Sequence, residues 1–460
     1  DGFVREGDDY RLAPDVAEDY DALLAEFKEV PANILHCWPM ASAADGQKGL
    51  FDSAFCLARA IQSADPTEDV RLTFVGSGGF SVAGEPVSYP ALGTLLGPVR
   101  VAPREISGLM AQYIDLEAKE DPAWSGKAIL DEHDGDTSDD CIALRGRKRY
   151  AQKLAPLSVA APTALPKRIK DGGRYVITGG IGGIGLALAR YLGGTAKAQL
   201  ALIGRSAFPA RGEWDTILKT TPASPVGGAV NAIREIEEAG GKVLVLSADV
   251  TDKSALAAAL DEVKAQFGGI DGVFHGAGIM DDAPMLGKSL DDTHRVLSAK
   301  VTGGGNLAAL LPEGSLDFFA VFSSTSVVTA PPGQVDYVAG NSYLESLAAS
   351  RSDGLAISWG VWRDIGMAAR AYRTVEESAE GAHPLLGPLE KDDNGVISFT
   401  SYYDPAQLWV LSEHVVGGIP VLPGTAYIEI ARATMQAAAS NRKWELQSLS
   451  LLSPMVFPEG

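Results

Sequence analysis

Cysteine is scarce: Cys37, Cys56 and Cys141 are the three in 460 residues. They form no close ligand pair, and an odd number leaves one outside any disulfide scheme. That argues against a thiolate metal centre or a disulfide framework and points to reduced thiols in the cytoplasm, with no metal expected. Basic residues are also few. Lys and Arg number 39 against 59 Asp and Glu, a formal charge of −20, so neither a nucleic acid nor a membrane is an expected partner, because both binding modes need clustered cations. No apolar run reaches the roughly eighteen residues of a membrane helix, and the N-terminus has neither the basic nor the apolar region of a signal peptide. The 51 glycines follow no Gly-X-Y period, which excludes collagen. The first residue is Asp1 rather than Met, which suggests a piece of something longer.

What is there is globular: 46% apolar and 21% charged residues, with a length that suits two or three domains. Over the first 150 residues, short apolar runs at 32–38, 70–75 and 113–116 alternate with helical patterns, which predicts an α/β layer with a parallel sheet. Gly76, Gly78 and Gly79 lead into a Pro-containing loop instead of a helix, so this block lacks a nucleotide fingerprint and reads as structural. A Pro and Ala stretch within 154–170 reads as a linker. Beyond it, six strands at 175–178, 200–203, 243–248, 272–275, 318–323 and 355–359 describe a doubly wound sheet. After about residue 381 the texture changes to strands near 396–403 and 407–411 and an Ala-rich helix over 425–439. The expected domains are therefore 1–155, 156–380 and 381–460.

Thr178, Gly179, Gly180, Ile181, Gly182, Gly183, Ile184 and Gly185 follow the first strand of the second block and open a helix, the context that a dinucleotide fingerprint requires. Arg205 and Ser206 close the next strand, twenty residues beyond Gly185. An acid there would accept from a ribose 2′-hydroxyl, whereas Arg205 can pair with a 2′-phosphate, so NADPH is expected over NADH. Asp249 and Val250, then Gly276, Ala277 and Gly278, occupy strand ends that would border adenine and nicotinamide ribose. Asp249 could instead cap the helix that begins near Lys253.

Ser323 and Ser324 close the fifth strand, Tyr337 follows thirteen positions after Ser324, and Asn341 lies four further on, on the same helical face. Lys300 sits on the preceding helix. In order along residues 160–368, these motifs resemble the ketoreductase branch of the short-chain dehydrogenase family, specifically the ketoreductase domains of multidomain (type I) polyketide synthases. The resemblance implies two Rossmann-like α/β subdomains, the first structural and free of cofactor. It also implies Tyr337 as proton donor to the reduced ketone, Lys300 tuning its pKa, Ser324 bonding the substrate oxygen, and Asn341 holding Lys300 or a water chain. No lysine follows Tyr337 at four residues; lysine and asparagine stand exchanged, as in the polyketide branch. Met280, Asp281 and Asp282 resemble, with Met for Leu, the Leu-Asp-Asp signature of reductases that give a D-(3R)-hydroxyl, and Thr329 replaces the tryptophan of the opposite class. Asp281 and Asp282 could equally be solvated turn residues. Asp336 stands where the family usually has asparagine.

The segment from His383 resembles the opening of a polyketide synthase dehydratase, a double hot-dog α+β fold, with His414, Gly418 and Pro423 in its His-x3-Gly-x4-Pro pattern. The sequence stops before a second hot dog, so His414 is expected to act as a base in an intact parent. The reductase's usual lid helix after Met367 is expected to be short or absent. The implied substrate is a β-ketoacyl chain on the phosphopantetheine of an acyl carrier protein, with neighbouring synthase domains as partners. A reductase of other ketones, or a docking fragment with an inactive reductase, remains open at this point.

Overall fold

A computed structural model describes residues 2–42, 48–82, 84–117, 119–135, 139–158, 165–222, 224–362, 365, 383–391, 397–405, 408–416, 418–438 and 455–457. The expected lid region and the boundary near 381 lie outside the described residues. The chain divides into two compact units, Asp1–Gly360 and Val361–Gly460.

In the first unit a short hairpin, β1 (Val4–Glu6) and β2 (Asp9–Arg11), precedes two α/β layers. The first layer contains α1 (Ala17–Ala25), β3 (Asn33–His36), α2 (Trp38–Ser42), α3 (Ser53–Ala64), β4 (Val70–Ser77), α4 (Leu96–Glu105), β5 (Leu109–Leu116), α5 (Pro122–His133), β6 (Cys141–Arg145) and β7 (Lys148–Ala151). Its five strands lie in chain order, parallel except for β7, which returns antiparallel beside β6. Such an order has no reversal and therefore no crevice of the kind that admits a nucleotide. The turn after β4 is filled from within. Asp115, fully buried on β5, accepts the N–H groups of Gly79 (2.8 Å) and Phe80 (3.2 Å) and the Tyr113 hydroxyl (2.8 Å), and pairs with Arg145.

The second layer contains β8 (Arg174–Thr178), α6 (Gly183–Ala196), β9 (Gln199–Gly204), α7 (Trp214–Thr220), α8 (Pro225–Glu238), β10 (Lys242–Ser247), α9 (Lys253–Phe267), β11 (Gly272–His275), α10 (Leu290–Leu310), β12 (Phe318–Ser324), α11 (Ser326–Thr329), α12 (Val335–Ala349) and β13 (Gly354–Trp359). Its six strands run in the order β10-β9-β8-β11-β12-β13, all parallel. Successive side chains of each strand feed opposite cores. Val176, Val273, Phe319 and Val321 pack with α9, α10 and α12, while Tyr175, Ile177, Phe274 and Phe318 pack with α6 and α8. This burial on both faces is why the strands read as near-continuous apolar runs.

The two layers share a core. Val335, Val338 and Ala339 of α12 and Leu297 of α10 cluster with Phe55 of α3 and Leu96 and Val99 of α4. Twelve of the fifteen residues of α12 are buried, as expected of a helix clasped on every side.

Among its described residues the second unit has two antiparallel hairpins, β14 (Leu389–Lys391) with β15 (Ile397–Phe399) and β16 (Val415–Val416) with β17 (Ile419–Pro420), the helix Gly424–Ala438, and a short helix at Trp409–Ser412 where the sequence predicts a strand. Leu385, Leu411, Leu422 and Ala426 form its core. All three thiols are free, with Cys56 and Cys141 buried. Among the described residues there is no group of three potential metal ligands, and no helix is long and apolar enough to cross a membrane.

Candidate active site

The strand order reverses between β8 and β11, which opens a crevice at their carboxyl ends. Thr178 and His275 face each other there, with Thr178 Oγ1 2.7 Å from His275 Nδ1. Burial lowers the His275 pKa to about 3, so the imidazole is neutral. Gly179 has φ +67°, and a Cβ on Gly185 would lie 2.5 Å from the Gly179 carbonyl oxygen. Only glycines permit this turn. It delivers the chain into α6, whose cap residue Gly182 offers no side-chain acceptor, so the first-turn N–H groups of Gly183, Ile184 and Gly185 remain available to an anion. Gly180 and Ile181 complete the turn, and Arg205 and Ser206 are exposed at the end of β9. The residues present fit a dinucleotide.

Asp249 accepts the N–H (2.9 Å) and hydroxyl (2.7 Å) of Thr251. The alternative capping role falls instead to Asp252, which accepts the N–H groups of Ser254 and Ala255 at the start of α9. The side chain of Val250 is buried against Gly303 of α10. Gly276, Ala277 and Gly278 follow β11, and Gly278 leaves room for Lys300: a Cβ there would approach Lys300 Cε to 3.2 Å.

Four other side chains converge beside this crevice. Ser324 ends β12, Tyr337 lies in the first turn of α12, Asn341 lies one turn on, and Lys300 reaches in from α10. Burial pushes the Tyr337 phenol above its ordinary pKa, against hydrogen bonds with Ser324 and Asn341 that pull it down; the Asp282 carboxylate adds to the rise. Tyr337 therefore holds its proton at neutral pH. Lys300 is 5% exposed, donates to the Phe322 carbonyl (3.2 Å) and stands 5.7 Å from the Tyr337 ring centre. Burial lowers its pKa to about 8.

Of the two partners expected for Asn341, Lys300 or a water chain, it makes no hydrogen bond to Lys300. Its Nδ2 donates to the Tyr337 carbonyl (2.7 Å), and its buried Oδ1 has no protein partner.

Met280 is partly exposed, and Asp281 pairs with Arg295 at the surface. Asp282 is exposed as well, its carboxyl partly desolvated. It accepts from Gln334 Nε2 (2.6 Å), and its carboxyl pKa is raised by burial. One feature of the site gave no signal in the sequence: Lys288 Nζ lies 2.5 Å from Asp336, with both side chains buried.

In the second unit, His414 is exposed at the start of the β16–β17 hairpin, whose turn includes Gly418 at φ +85°. Its Nδ1 donates to the Val421 carbonyl (2.7 Å), which leaves Nε2 as the acceptor.

Residues 173–364 match the KR domain family, and residues 383–460 match the N-terminal part of the polyketide synthase dehydratase domain. A solved structure described as A-type ketoreductases from a modular polyketide synthase is 30% identical, with a TM-score of 0.64; the match covers 76% of this chain and 72% of that one. The chain belongs to the polyketide synthase ketoreductases. This ketoreductase is also 28% identical over 344 residues to a phenolphthiocerol/phthiocerol polyketide synthase of Mycobacterium tuberculosis, covering 73% of the present chain. It is 37% identical over 274 residues, 58% of its length, to the 6-methylsalicylic acid synthase of Aspergillus terreus. The matched regions span 18% and 15% of those relatives, so the ketoreductase is similar to a small part of each. Membership of this family makes the ligand of the crevice a nicotinamide cofactor.

Proposed function

We propose that this ketoreductase uses NADPH to reduce a β-ketoacyl thioester, carried on the phosphopantetheine of an acyl carrier protein, to the D-(3R)-hydroxyacyl thioester. The setting is a larger cytoplasmic polyketide synthase. The observation that carries this reading is a phenol kept protonated by burial, with Ser324 and Lys300 beside it, next to an uncapped glycine-rich helix N-terminus. The segment from Thr178 to Gly185 would hold the pyrophosphate, Arg205 and Ser206 the 2′-phosphate, and Asp249, Val250 and Gly276 to Gly278 the adenine and nicotinamide ends. When bound, the cofactor supplies the hydride.

Ser324 orients the ketone oxygen by a hydrogen bond. Tyr337 gives that oxygen its proton as negative charge develops there, completing the hydroxyl and leaving a phenolate. The Lys300 ammonium steadies the phenolate. The orphan Asn341 Oδ1 suits an ordered water through which the phenol regains its proton. Asp282, whose carboxylate acts on the Tyr337 phenol and is held by Gln334, supports the D-(3R) assignment together with Met280 and Asp281.

Three functional parts follow: 1–155 as support, 156–380 as reductase, and 381–460 as dehydratase-like, with His414, its Nε2 as acceptor, as the base.

The test is cofactor oxidation with a β-ketoacyl thioester surrogate, followed in the parent chain and in Tyr337→Phe. Loss of the general acid should lower turnover by ~10²-fold or more, about 2.7 kcal/mol of barrier, and NADPH should be preferred to NADH. Equal turnover in the variant would remove Tyr337 as the acid and with it this mechanism.

A further inference from the structure

Two segments lie beside Tyr337: 279–288, whose Asp282 acts on its phenol, and 331–336, which carries Gln334 and leads directly into it. Both are held by one carboxylate from the layer that lacks a cofactor crevice. Glu105 is the last residue of α4. Its Oε2 accepts the Met285 N–H at 2.6 Å and its Oε1 accepts the Gly333 N–H at 2.7 Å. The same two segments are stitched directly by Ala283 N–H to the Gly333 carbonyl (3.1 Å), by Gln334 to Asp282 (2.6 Å) and by the Lys288–Asp336 pair. Gly333 has φ +86°, a conformation that turns the chain sharply just ahead of α12. Two further side chains of the first layer take backbone carbonyls of the second: Arg59 that of Lys288 (3.1 Å) and Arg100 that of Val327, beyond Ser324 (2.7 Å).

Hydrogen bonds to an ionised carboxylate are roughly twice as strong as neutral ones. When both oxygens of one carboxylate are used, the distance between the two bonded amides is fixed as well. Displacing a reacting group by ~1 Å can cost ~10²-fold in rate, so the spacing of these segments bears on how a ketone approaches Tyr337.

We infer that Glu105 is a positioning residue. It sets the separation of the 279–288 and 331–336 segments, and through it the cofactor-free layer governs the orientation of the ketone at Tyr337. This deepens the proposed reduction and rests on it.

The experiment compares the full chain with Glu105→Gln, which places an amide donor against an N–H group, and with Glu105→Asp, which keeps the charge but shortens the reach. Three quantities are read: kcat/KM with the thioester surrogate together with the D to L product ratio, the dissociation constant of the cofactor, and hydrogen exchange at the Met285 and Gly333 amides. Loss of two charge-assisted bonds predicts exchange at both amides faster by ~10-fold or more. Both variants should also show a lower kcat/KM and an eroded product ratio, with cofactor affinity held within about twofold because Glu105 touches no part of that crevice. Unchanged exchange at the two amides would overturn the inference, as would cofactor affinity falling in step with kcat/KM. If the parent chain fails to reduce the surrogate, the proposed reduction falls, while amide exchange still decides whether Glu105 holds the two segments.

Discussion

At Lys300 the folded chain keeps an ammonium group where solvation is poor, tied to one backbone carbonyl and facing an aromatic ring. Its pKa falls from 10.5 to about 8 through burial. Below about pH 8 the lysine is charged in both folded and unfolded chains, and the folded state bears the full desolvation cost. Between about 8 and 10.5 the unfolded chain binds more protons, so this cost fades as pH rises. Lys300→Met should therefore be catalytically dead yet melt at a higher temperature than the parent at neutral pH, with the gap closing as pH approaches about 10. Thermal denaturation of both chains across that range checks it; a gap independent of pH would show that the lysine carries no such cost. Ser324, Tyr337 and Asn341 were legible from their spacing, the first at a strand end and the others one helix turn apart, whereas Lys300, within α10, was picked out by the family resemblance. The bond from Asn341 to the Tyr337 carbonyl was not legible, since which neighbour an amide contacts depends on its side-chain rotamer.

The helix α12 carries both Tyr337 and Asn341, and its first turn is anchored by an ion pair unsuspected from the sequence. Asp336 accepts the Tyr337 N–H (2.8 Å) through one oxygen and Lys288 through the other. Burial raises the Asp336 pKa, against the opposing pull of Lys288. Removing one partner strands a buried charge. Asp336→Asn alone is expected to cost about 3 kcal/mol or more in urea denaturation, and the neutral pair Lys288→Met with Asp336→Asn should recover most of that loss. Additive losses in the double variant would mean that the two side chains act separately. The six strands of the second sheet were legible to within one residue at each end, because buried parallel strands are apolar runs punctuated by glycine and polar turns. The small hairpin β1–β2 and the antiparallel β7 were not, as their mostly exposed residues carry no such pattern. The cap of α9 fell to Asp252 rather than Asp249 because Asp252 immediately precedes the helix, while Asp249 serves the turn at Thr251.

Over the first unit as a whole, the two layers meet without room to spare. A Cβ on Gly97 of α4 would lie 2.2 Å from the Val335 carbonyl oxygen, at the very start of α12. Gly97→Ala must push the layers apart where Tyr337 is mounted. It should lower the melting temperature by several degrees, the effect of roughly 1–3 kcal/mol of overpacking, and depress kcat/KM more than cofactor affinity. A variant with parental kcat/KM would show that the seam is compliant. This seam and the grip of Glu105 could not be read in advance, because they join residues some 180 to 238 positions apart with no shared motif. Asp115 gives the first layer a different kind of consequence. The turn that would receive a phosphate already holds an anion that is part of the polypeptide, and a ligand built into the chain neither dilutes nor dissociates into solvent. Among the described residues, the two sheets of kindred architecture thus present one strand-order reversal to a nucleotide, that of the second layer.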